Sequence, residues 1–230
     1  MTVIVFASPK GGAGKTTSAF LLSTELAYRG VNVSIIDADP NHPIGNWEKR
    51  GGQAENLKII RNNSEESILD DIDNAAKNSD FVIVDLEGTA NLSVAYAVSR
   101  ADIVIVPSQR STLDAGEASK AIALVNRQSS VANREINVSL LLTRTSPAIR
   151  SKGLRRMLES LSFNEVNTFT VEISEREAFK SIFDHTLTIH QLKNSQVSGL
   201  EKACLNSADF AAEVIQKLQY IQNKDIRVVS

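Results

Sequence analysis

The sequence is short of cysteine, of long apolar runs and of net charge, and each shortage excludes a class of protein. Cys204 is the only cysteine among 230 residues, which excludes an intrachain disulfide and suits a reducing compartment. No apolar run approaches the roughly 20 residues that a membrane-spanning helix needs. The first residues contain no basic leader and no cleavage site, so we expect the protein in the cytoplasm.

The charges nearly balance, with 25 Lys and Arg against 27 Asp and Glu and a formal net charge of -2. The chain is therefore not a generally basic nucleic-acid binder, and any contact with a polyanion has to come from a local patch. Its 42% apolar and 23% charged residues are typical of a soluble globular protein.

Short apolar runs alternate with segments of helix length. The runs cover residues 3–6, 33–36, 81–84, 103–106 and 138–142, and helices are expected at about 15–29, 64–78, 113–129 and 148–161. The runs are almost continuously apolar, as in strands that helices cover on both faces. This pattern predicts an α/β fold, in which a doubly wound, mostly parallel sheet carries helices on both faces, within a single domain over residues 1–230.

The stretch SPKGGAGKTT, residues 8–17, lies between the first run and the first predicted helix. It nearly fits the phosphate-binding loop G-x-x-x-x-G-K-[ST], but Pro9 holds the first glycine position and an additional lysine, Lys10, follows it. Three glycines would let the backbone turn tightly enough for successive N–H groups to face a phosphate; they are Gly11, Gly12 and Gly14. The N-terminus of the following helix adds its partial positive charge.

The last three residues of this stretch have the side chains that a nucleotide triphosphate needs. Lys15 is expected against the β- and γ-phosphates, Thr16 on Mg²⁺ and Thr17 near the α-phosphate. Because Gly-Lys-Thr follows a buried strand and precedes a helix, we predict a P-loop NTPase rather than a merely tight turn.

Carboxylates close two of the apolar runs. Asp37 and Asp39 end the second run, and Asp85 ends the third. The carboxyl ends of neighbouring parallel strands meet at one edge of a sheet, where such acids can hold a metal and position water. Asp85 is interpreted as the Walker B acid, and Asp37 and Asp39 point to the same side if their segment is extended. The alternative is that these acids simply cap the following turns.

Two motifs together resemble the ParA/MinD family of deviant Walker A ATPases, and its small ParA-type partition proteins in particular. The motifs are Lys10-Gly11-Gly12-Ala13-Gly14-Lys15-Thr16-Thr17 and Asp37-Ala38-Asp39-Pro40. The resemblance implies a homodimer that encloses two ATP molecules, in which Lys15 serves its own nucleotide and Lys10 reaches the nucleotide of the partner subunit. This role would explain why a phosphate loop has two lysines.

The resemblance also implies roles for residues outside the loop. Asp39 matches the acid that positions the attacking water, and Asp37 and Asp85 match the acids around Mg²⁺. Pro107 lies in the strand end beside the nucleotide, and Thr143 takes the place of an asparagine that contacts adenine in many relatives. Residues 85–89 depart from the family pattern, because they read Asp-Leu-Glu-Gly-Thr where partition ATPases commonly have Asp-x-Pro-Pro.

Other branches of the family fit the sequence less well. A MinD-like regulator ends in a basic amphipathic helix that lies on a membrane, whereas the apolar face formed by Phe210, Val214, Ile215, Leu218 and Ile221 is expected to pack on the sheet. A nitrogenase-type iron protein needs four thiolates, and two copies of Cys204 supply two. Biosynthetic relatives such as dethiobiotin synthetase share the phosphate loop without Lys10.

A basic cluster suggests DNA as a partner. Lys152, Arg155 and Arg156 share one face of the predicted helix at 148–161 by their spacing. Such a face suits sequence-independent contact with phosphates, although an ordinary solvated face is the alternative.

The sequence as a whole predicts a cytoplasmic, nucleoid-associated ATPase with ATP and Mg²⁺ as ligands. We expect an ATP-dependent homodimer that binds DNA non-specifically and is reset when a ParB-like or other small DNA-binding adaptor stimulates slow hydrolysis. Its task would be the partition or positioning of a plasmid, chromosome region or other cargo, without stable membrane association. A MinD-like spatial regulator is the alternative.

Overall fold

A parallel sheet forms the centre of the molecule. The computed structural model describes residues 1–88, 92–146 and 167–229. Within them the strands are β1 Thr2–Phe6, β2 Val33–Ala38, β3 Leu57–Arg61, β4 Phe81–Leu86, β5 Ile103–Ser108, β6 Asn137–Thr145, β7 Asn167–Thr168 and β8 Ile173–Ser174. The strand order is β3-β2-β4-β1-β5-β6-β7, with β8 also paired to β6, and every recorded pairing is parallel.

Helices cover both faces of this sheet. They are α1 Lys15–Tyr28, α2 Pro43–Lys49, α3 Ile68–Ala75, α4 Leu92–Arg100, α5 Thr112–Ala132, α6 Glu177–Asp184 and α7 Leu200–Val229. One apolar core lies between the sheet and α1, α2, α6 and α7, and the other lies between the sheet and α3, α4 and α5. The predicted doubly wound α/β fold is therefore confirmed, and its central strands are apolar because both of their faces are buried.

The predicted strands correspond to β1, β2, β4, β5 and β6. No apolar run predicts β3, so the third predicted strand corresponds to β4. β3 lies at the edge of the sheet and is interrupted by Lys58 and Arg61, which breaks the apolar run. The helix predicted at 64–78 is a 3-10 turn at Glu65–Ser67 followed by the shorter α3. The helix predicted at 148–161 lies outside the described residues.

The apolar face of α7 packs into the core, as predicted. Phe210 and Val214 are fully buried and Leu218 nearly so, while Ile215 and Ile221 are partly buried against the same core. In the part of the chain that the structure describes, no helix combines the length and the apolar character needed to cross a bilayer.

A buried carboxylate anchors the C-terminal end of α1. The side chain of Glu25 is 3% exposed and accepts a 2.9 Å hydrogen bond from Nε of Arg29. Its other oxygen lies 2.7 Å from Nε2 of His190, whose ring stacks on Tyr28. Burial alone would raise the pKa of Glu25, but the hydrogen bonds from His190 and Arg29 outweigh burial and the pKa is lowered.

Glu25→Gln should therefore destabilise the fold in a pH-dependent way. A carboxylate with a lowered pKa stabilises the folded state above its ordinary pKa, and this contribution is lost as the pH falls through the lowered pKa. We expect the variant to lose about 1–3 kcal/mol in the free energy of unfolding at pH 7, and progressively less in more acidic solution. Urea denaturation at several pH values measures this, with Glu55→Gln as an exposed control. Equal stability of variant and wild type at pH 7 would contradict the assignment.

Candidate functional site

The phosphate loop joins β1 to α1 at the carboxyl edge of the sheet. Gly12 and Gly14 have φ angles of 74° and 92°, in the left-handed region that glycine adopts without strain. A Cβ on Gly14 would lie 3.3 Å from Cβ of Thr143, so β6 also limits the space here. Because Gly14 precedes Lys15 as the N-cap of α1, the N–H groups of the first helical turn are left without a side-chain cap. Such a helix start is suited to bind an anion.

The ammonium group of Lys15 lies over the loop. The side chain is 7% exposed, and Nζ donates hydrogen bonds of 3.2 Å to the carbonyl oxygens of Ser8 and Lys10. Burial lowers the pKa of Lys15, while nearby carboxylates act in the opposite direction; they are Asp85, Asp39 and Glu87. A partly desolvated cation held by main-chain oxygens can gain much from an incoming phosphate.

Lys10 points toward α5 of its own chain. Its Nζ forms an ion pair with Oδ1 of Asp114, which is 4% exposed, whereas Lys10 is 40% exposed. Asp114 lies in the first turn of α5, where its N–H donates a 3.1 Å hydrogen bond to Oγ of Ser111 and its carboxylate accepts one from the same hydroxyl. Burial alone would raise the pKa of Asp114, but the bonds from Lys10 and Ser111 outweigh burial and the pKa is lowered.

Asp85 supplies two buried oxygens beside the loop. It lies one residue before the end of β4, in register with Phe6 of β1 and Asp37 of β2, so the two acid-bearing strands are neighbours, as predicted. The residue is fully buried, and among the described residues neither oxygen has a hydrogen-bond partner of normal geometry, although the hydroxyl of Thr16 is near enough to act on its pKa. Burial raises the pKa of Asp85 to about 8, with Asp37 and Asp39 adding to the increase and Thr16 and Lys15 opposing it.

These unpartnered oxygens fit a cation. Mg²⁺ usually keeps several waters and takes a small number of carboxylates together with substrate phosphates. Asp85 beside Thr16 offers such a partial set, and one oxygen of Asp37 is also buried without a partner in the described part of the chain. Within residues 1–88, 92–146 and 167–229, no three His, Cys, Asp or Glu side chains cluster as a metal site on their own. The residues present therefore fit a metal ion that arrives with phosphates.

Asp37 and Asp39 also stabilise the turns that follow β2. Oδ2 of Asp37 accepts hydrogen bonds from the N–H groups of Ile44 and Gly45, at 2.9 and 2.8 Å, in the first turn of α2. Burial raises the pKa of Asp37 despite these bonds. Oδ1 of Asp39 accepts from the N–H and the side-chain amide of Asn41, at 2.8 and 3.0 Å. One oxygen of each acid therefore caps the turn that follows it. The role of Asp37 at the metal and the role of Asp39 at the water stay predictions.

Thr143 of β6 and Gln109, which follows β5, hydrogen-bond to the loop from the β5 and β6 side of the sheet. Thr143 Oγ1 donates a 2.7 Å hydrogen bond to the carbonyl oxygen of Ala13, and Nε2 of Gln109 donates a 3.0 Å bond to that of Gly12. Pro107 lies within β5, buried and opposite Leu141. The sequence analysis missed Gln109, although its place after the strand end beside the nucleotide could have indicated it. The hydroxyl of Thr143 is engaged with the loop, and its contact with adenine stays a prediction.

A cavity of about 230 Å³ lies beside the loop, with Gly14, Thr17 and Thr143 in its wall. Arg144 lines the same cavity, is exposed and has a left-handed φ of 50°. The predicted DNA-binding residues Lys152, Arg155 and Arg156 lie outside the described residues.

Gly88, which follows β4, lies close to the loop. A Cβ on Gly88 would lie 3.2 Å from the nitrogen of Gly11 and 3.4 Å from Nζ of Lys15. A side chain at this position would crowd the N–H and the ammonium group that are expected to meet phosphates. The departure of residues 85–89 from the family pattern is visible in the sequence, but the approach of Gly88 to Gly11 and Lys15 is not.

Comparisons with known proteins show the family and the fold of the chain. The family model described as VirC1 protein matches residues 1–224. Protein ParA of Rhizobium radiobacter is 36% identical over 218 residues, which cover 95% of this chain and 98% of that protein. Among solved structures, a McdA–ATP complex from Cyanothece has a TM-score of 0.72 at 17% identity and covers 94% of this chain and 96% of that one. The MinD cell division protein of Aquifex aeolicus has a TM-score of 0.70 at 19% identity, with coverages of 94% and 98%.

Gly88→Ala should weaken nucleotide binding without unfolding the chain. The added methyl group would push against Gly11 and Lys15, and crowding of this kind costs on the order of 1–2 kcal/mol, or about tenfold in affinity. Calorimetry with AMPPNP and Mg²⁺ measures the effect. Gly116→Ala is the control, because a Cβ there meets nothing within 4 Å. Unchanged affinity in Gly88→Ala would contradict the close approach.

Proposed function

The chain belongs to the ParA/MinD family of P-loop ATPases, in the branch that the VirC1 model describes, and we propose that it is a ParA-like ATPase that positions cargo on DNA. The cargo would be a plasmid, a chromosome region or another large assembly. The observation that carries the proposal is the 36% identity to a ParA protein over 98% of that protein's length. The phosphate loop with its second lysine supports it.

The site supports ATP with Mg²⁺ as the bound species. Lys15 and the N–H groups of the loop would bind the β- and γ-phosphates, and Thr17 the α-phosphate. Thr16, Asp37 and Asp85 would hold Mg²⁺, which would neutralise charge on the phosphates during transfer. The cavity beside Gly14 would receive the nucleobase next to Thr143, and Pro107 would support the site from its buried position in β5. Asp39 would orient the attacking water.

The proposed dimer requires an exchange of partners at Lys10. In the single chain this lysine is paired with Asp114. To reach the nucleotide of a partner subunit, the ammonium group would have to leave Asp114 and take a phosphate instead. Dimerisation would thereby depend on ATP, because the phosphate replaces the charge that Asp114 supplies.

Substitutions at the two ends of this ion pair should change dimerisation in opposite directions. Lys10→Ala should bind AMPPNP nearly as the wild type does but dimerise at least about tenfold more weakly, since the interfacial contact is lost. Asp114→Asn should dimerise more strongly, because the competing carboxylate is removed. Sedimentation velocity with AMPPNP and with ADP measures both. Loss of monomeric ATP binding in Lys10→Ala would mean that Lys10 serves its own nucleotide.

The proposed cycle includes DNA and an adaptor. The ATP-bound dimer would bind DNA non-specifically, which would place the protein on the nucleoid. A ParB-like or other small DNA-binding adaptor would stimulate slow hydrolysis and return the chain to its monomeric state. The basic cluster of Lys152, Arg155 and Arg156 supports this proposal by its charge, doubled in a dimer.

Arg155→Glu combined with Arg156→Glu should remove DNA binding while sparing ATP binding and dimerisation. In the wild type with ATP, about six basic residues on one surface predict a slope on the order of -5 in log affinity against log salt. An electrophoretic mobility assay on random-sequence DNA with ATP and with ADP tests this. The control is Lys49→Glu combined with Lys58→Glu, which changes the net charge by the same amount at two exposed positions elsewhere on the chain.

Two results would overturn parts of this proposal. If the Arg155 and Arg156 variant shifts DNA as the wild type does, the DNA surface lies elsewhere on the molecule. If the wild type sediments with anionic liposomes in ATP but does not shift DNA, the MinD-like alternative is correct instead.

A further inference from the structure

Two side chains from outside the phosphate loop hold two successive carbonyl groups of the loop. Oγ1 of Thr143 donates a 2.7 Å hydrogen bond to the carbonyl oxygen of Ala13. Nε2 of Gln109 donates a 3.0 Å hydrogen bond to the carbonyl oxygen of Gly12. Each bond fixes one peptide plane of the loop, because a peptide unit is rigid and turns as a whole.

Fixing these carbonyl groups also fixes the two N–H groups that follow them. A trans peptide unit directs its carbonyl oxygen and its N–H hydrogen to opposite sides, and no peptide bond of the described residues is cis. Because Gln109 holds the carbonyl of Gly12, the N–H of Ala13 points away from Gln109. Because Thr143 holds the carbonyl of Ala13, the N–H of Gly14 points away from Thr143.

These two bonds come from one side of the loop, and the ammonium group of Lys15 lies on the other. Gln109 follows β5 and Thr143 belongs to β6, and in the strand order both strands lie beyond β1 from β4. Nζ of Lys15 lies on the β4 side, because a Cβ on Gly88, which follows β4, would be 3.4 Å from it. The two N–H groups are thus directed away from β5 and β6, toward the side of the ammonium group.

Both N–H groups are available to a ligand. In the part of the chain that the structure describes, neither Ala13 nor Gly14 donates a backbone hydrogen bond, whereas the N–H of Ser18 donates a 2.9 Å bond to the carbonyl oxygen of Gly14. Successive N–H groups at a tight turn before a helix form a concave site for an anion. The two groups can therefore meet phosphate oxygens.

Thr143 is held rigidly enough to direct the loop. The residue is 1% exposed, and its main chain lies opposite Ile173 of β8. Its hydroxyl oxygen also lies 3.3 Å from the carbonyl oxygen of Ser108, the residue that precedes Gln109. A side chain that is locked by packing on a strand positions its neighbours more precisely than a residue in a loop does.

The hydroxyl of Thr143 is used toward the loop. A hydroxyl has one proton to donate, and the 2.7 Å bond to Ala13 is shorter than the 3.3 Å approach to Ser108. No donor of this side chain is then left for a nucleobase. The contribution of the hydroxyl to nucleotide binding is therefore expected to depend on the phosphates.

We propose that Thr143 and Gln109 are positioning residues for phosphate binding, which hold the N–H groups of Ala13 and Gly14 toward the phosphate oxygens of the nucleotide. The proposal rests on the proposed ATP site, and it assigns the hydroxyl of Thr143 to the phosphates instead of to the adenine ring. An N–H group that is already oriented binds an anion better than one that has to turn on binding.

The experiment compares two ligands by calorimetry on the full chain, each with Mg²⁺: AMPPNP, which has an adenine ring, and inorganic tripolyphosphate, which has none. Thr143→Val removes the hydroxyl at a similar side-chain shape and should weaken both ligands by the same factor, about tenfold. Thr143→Ser keeps the hydroxyl and should restore both affinities to within about threefold of the wild type. Gln109→Leu should weaken both ligands as well, at a position that is only partly buried.

Two control variants separate positioning from general loss of stability. Thr24 is 2% exposed, and its hydroxyl donates a 2.8 Å bond to the carbonyl oxygen of Phe20 further along α1. Thr24→Val therefore loses a buried hydrogen bond of the same kind and should lower the Tm without changing either affinity. Gln53→Leu, at an exposed position, is the control for Gln109→Leu.

Four outcomes would overturn the assignment. If Thr143→Val weakens AMPPNP but not tripolyphosphate, Thr143 contacts the base. If both positioning variants bind both ligands as the wild type does, the two bonds do not direct the N–H groups. An equal loss of affinity in Thr24→Val would reduce the effect to stability. Binding of AMPPNP without tripolyphosphate by the wild type would mean that the phosphates do not carry the affinity.

Failure of the proposed ATP site itself gives a different result. The wild type would then bind neither ligand, so the failure appears in the unchanged chain. Failure of the positioning role alone leaves AMPPNP binding by the wild type intact and appears only in the comparison of variants.

Discussion

The burial of two ionisable groups side by side at the phosphate loop, the amine of Lys15 and the carboxyl of Asp85, is the constraint on which the rest of the structure depends. Lys15 is nearly enclosed and relies on the carbonyl oxygens of Ser8 and Lys10, and Asp85 is fully enclosed with both oxygens unpartnered among the described residues. Burying charges without partners is costly. A ligand that brings phosphates to the lysine and a metal ion to the carboxylate would satisfy both, which supports the ATP and Mg²⁺ of the proposed function.

The sheet and the segments around the loop position Lys15 and Asp85. Parallel pairing sets Asp85 level with Asp37 and Phe6, so the carboxyl ends of β2 and β4 and the start of the loop meet at one edge. Segments from both sides then hold the loop. Thr143 and Gln109 bind its carbonyl groups, and Gly88 approaches it from the end of β4. The position of the loop therefore depends on β1 and on residues in or directly after β4, β5 and β6. It does not depend on the glycines of the loop alone.

Strands and the phosphate loop could be predicted from the sequence because their signals come from residues that are close together in the chain. Apolar runs predicted the central strands, and the spacing of glycines, lysines and threonines predicted the loop, because both signals are local. Contacts between distant residues could not be predicted in the same way: Lys10 and Asp114 are 104 residues apart, and nothing near either of them indicates the pair. The capping of α2 by Asp37 was weighed only as an alternative, because α2 itself was missed. Edge strand β3 was missed because Lys58 and Arg61 interrupt its apolar run.

The ion pair between Lys10 and Asp114 gives the proposed assembly a threshold. One ammonium group cannot satisfy a buried carboxylate of its own chain and a phosphate of another at the same time, so a half-formed contact would leave one charge without compensation. In a two-fold symmetric pair the exchange takes place twice, and both halves have to succeed together. Association would then rise more steeply than in proportion to ATP occupancy, because both subunits have to carry nucleotide before the pair is stable.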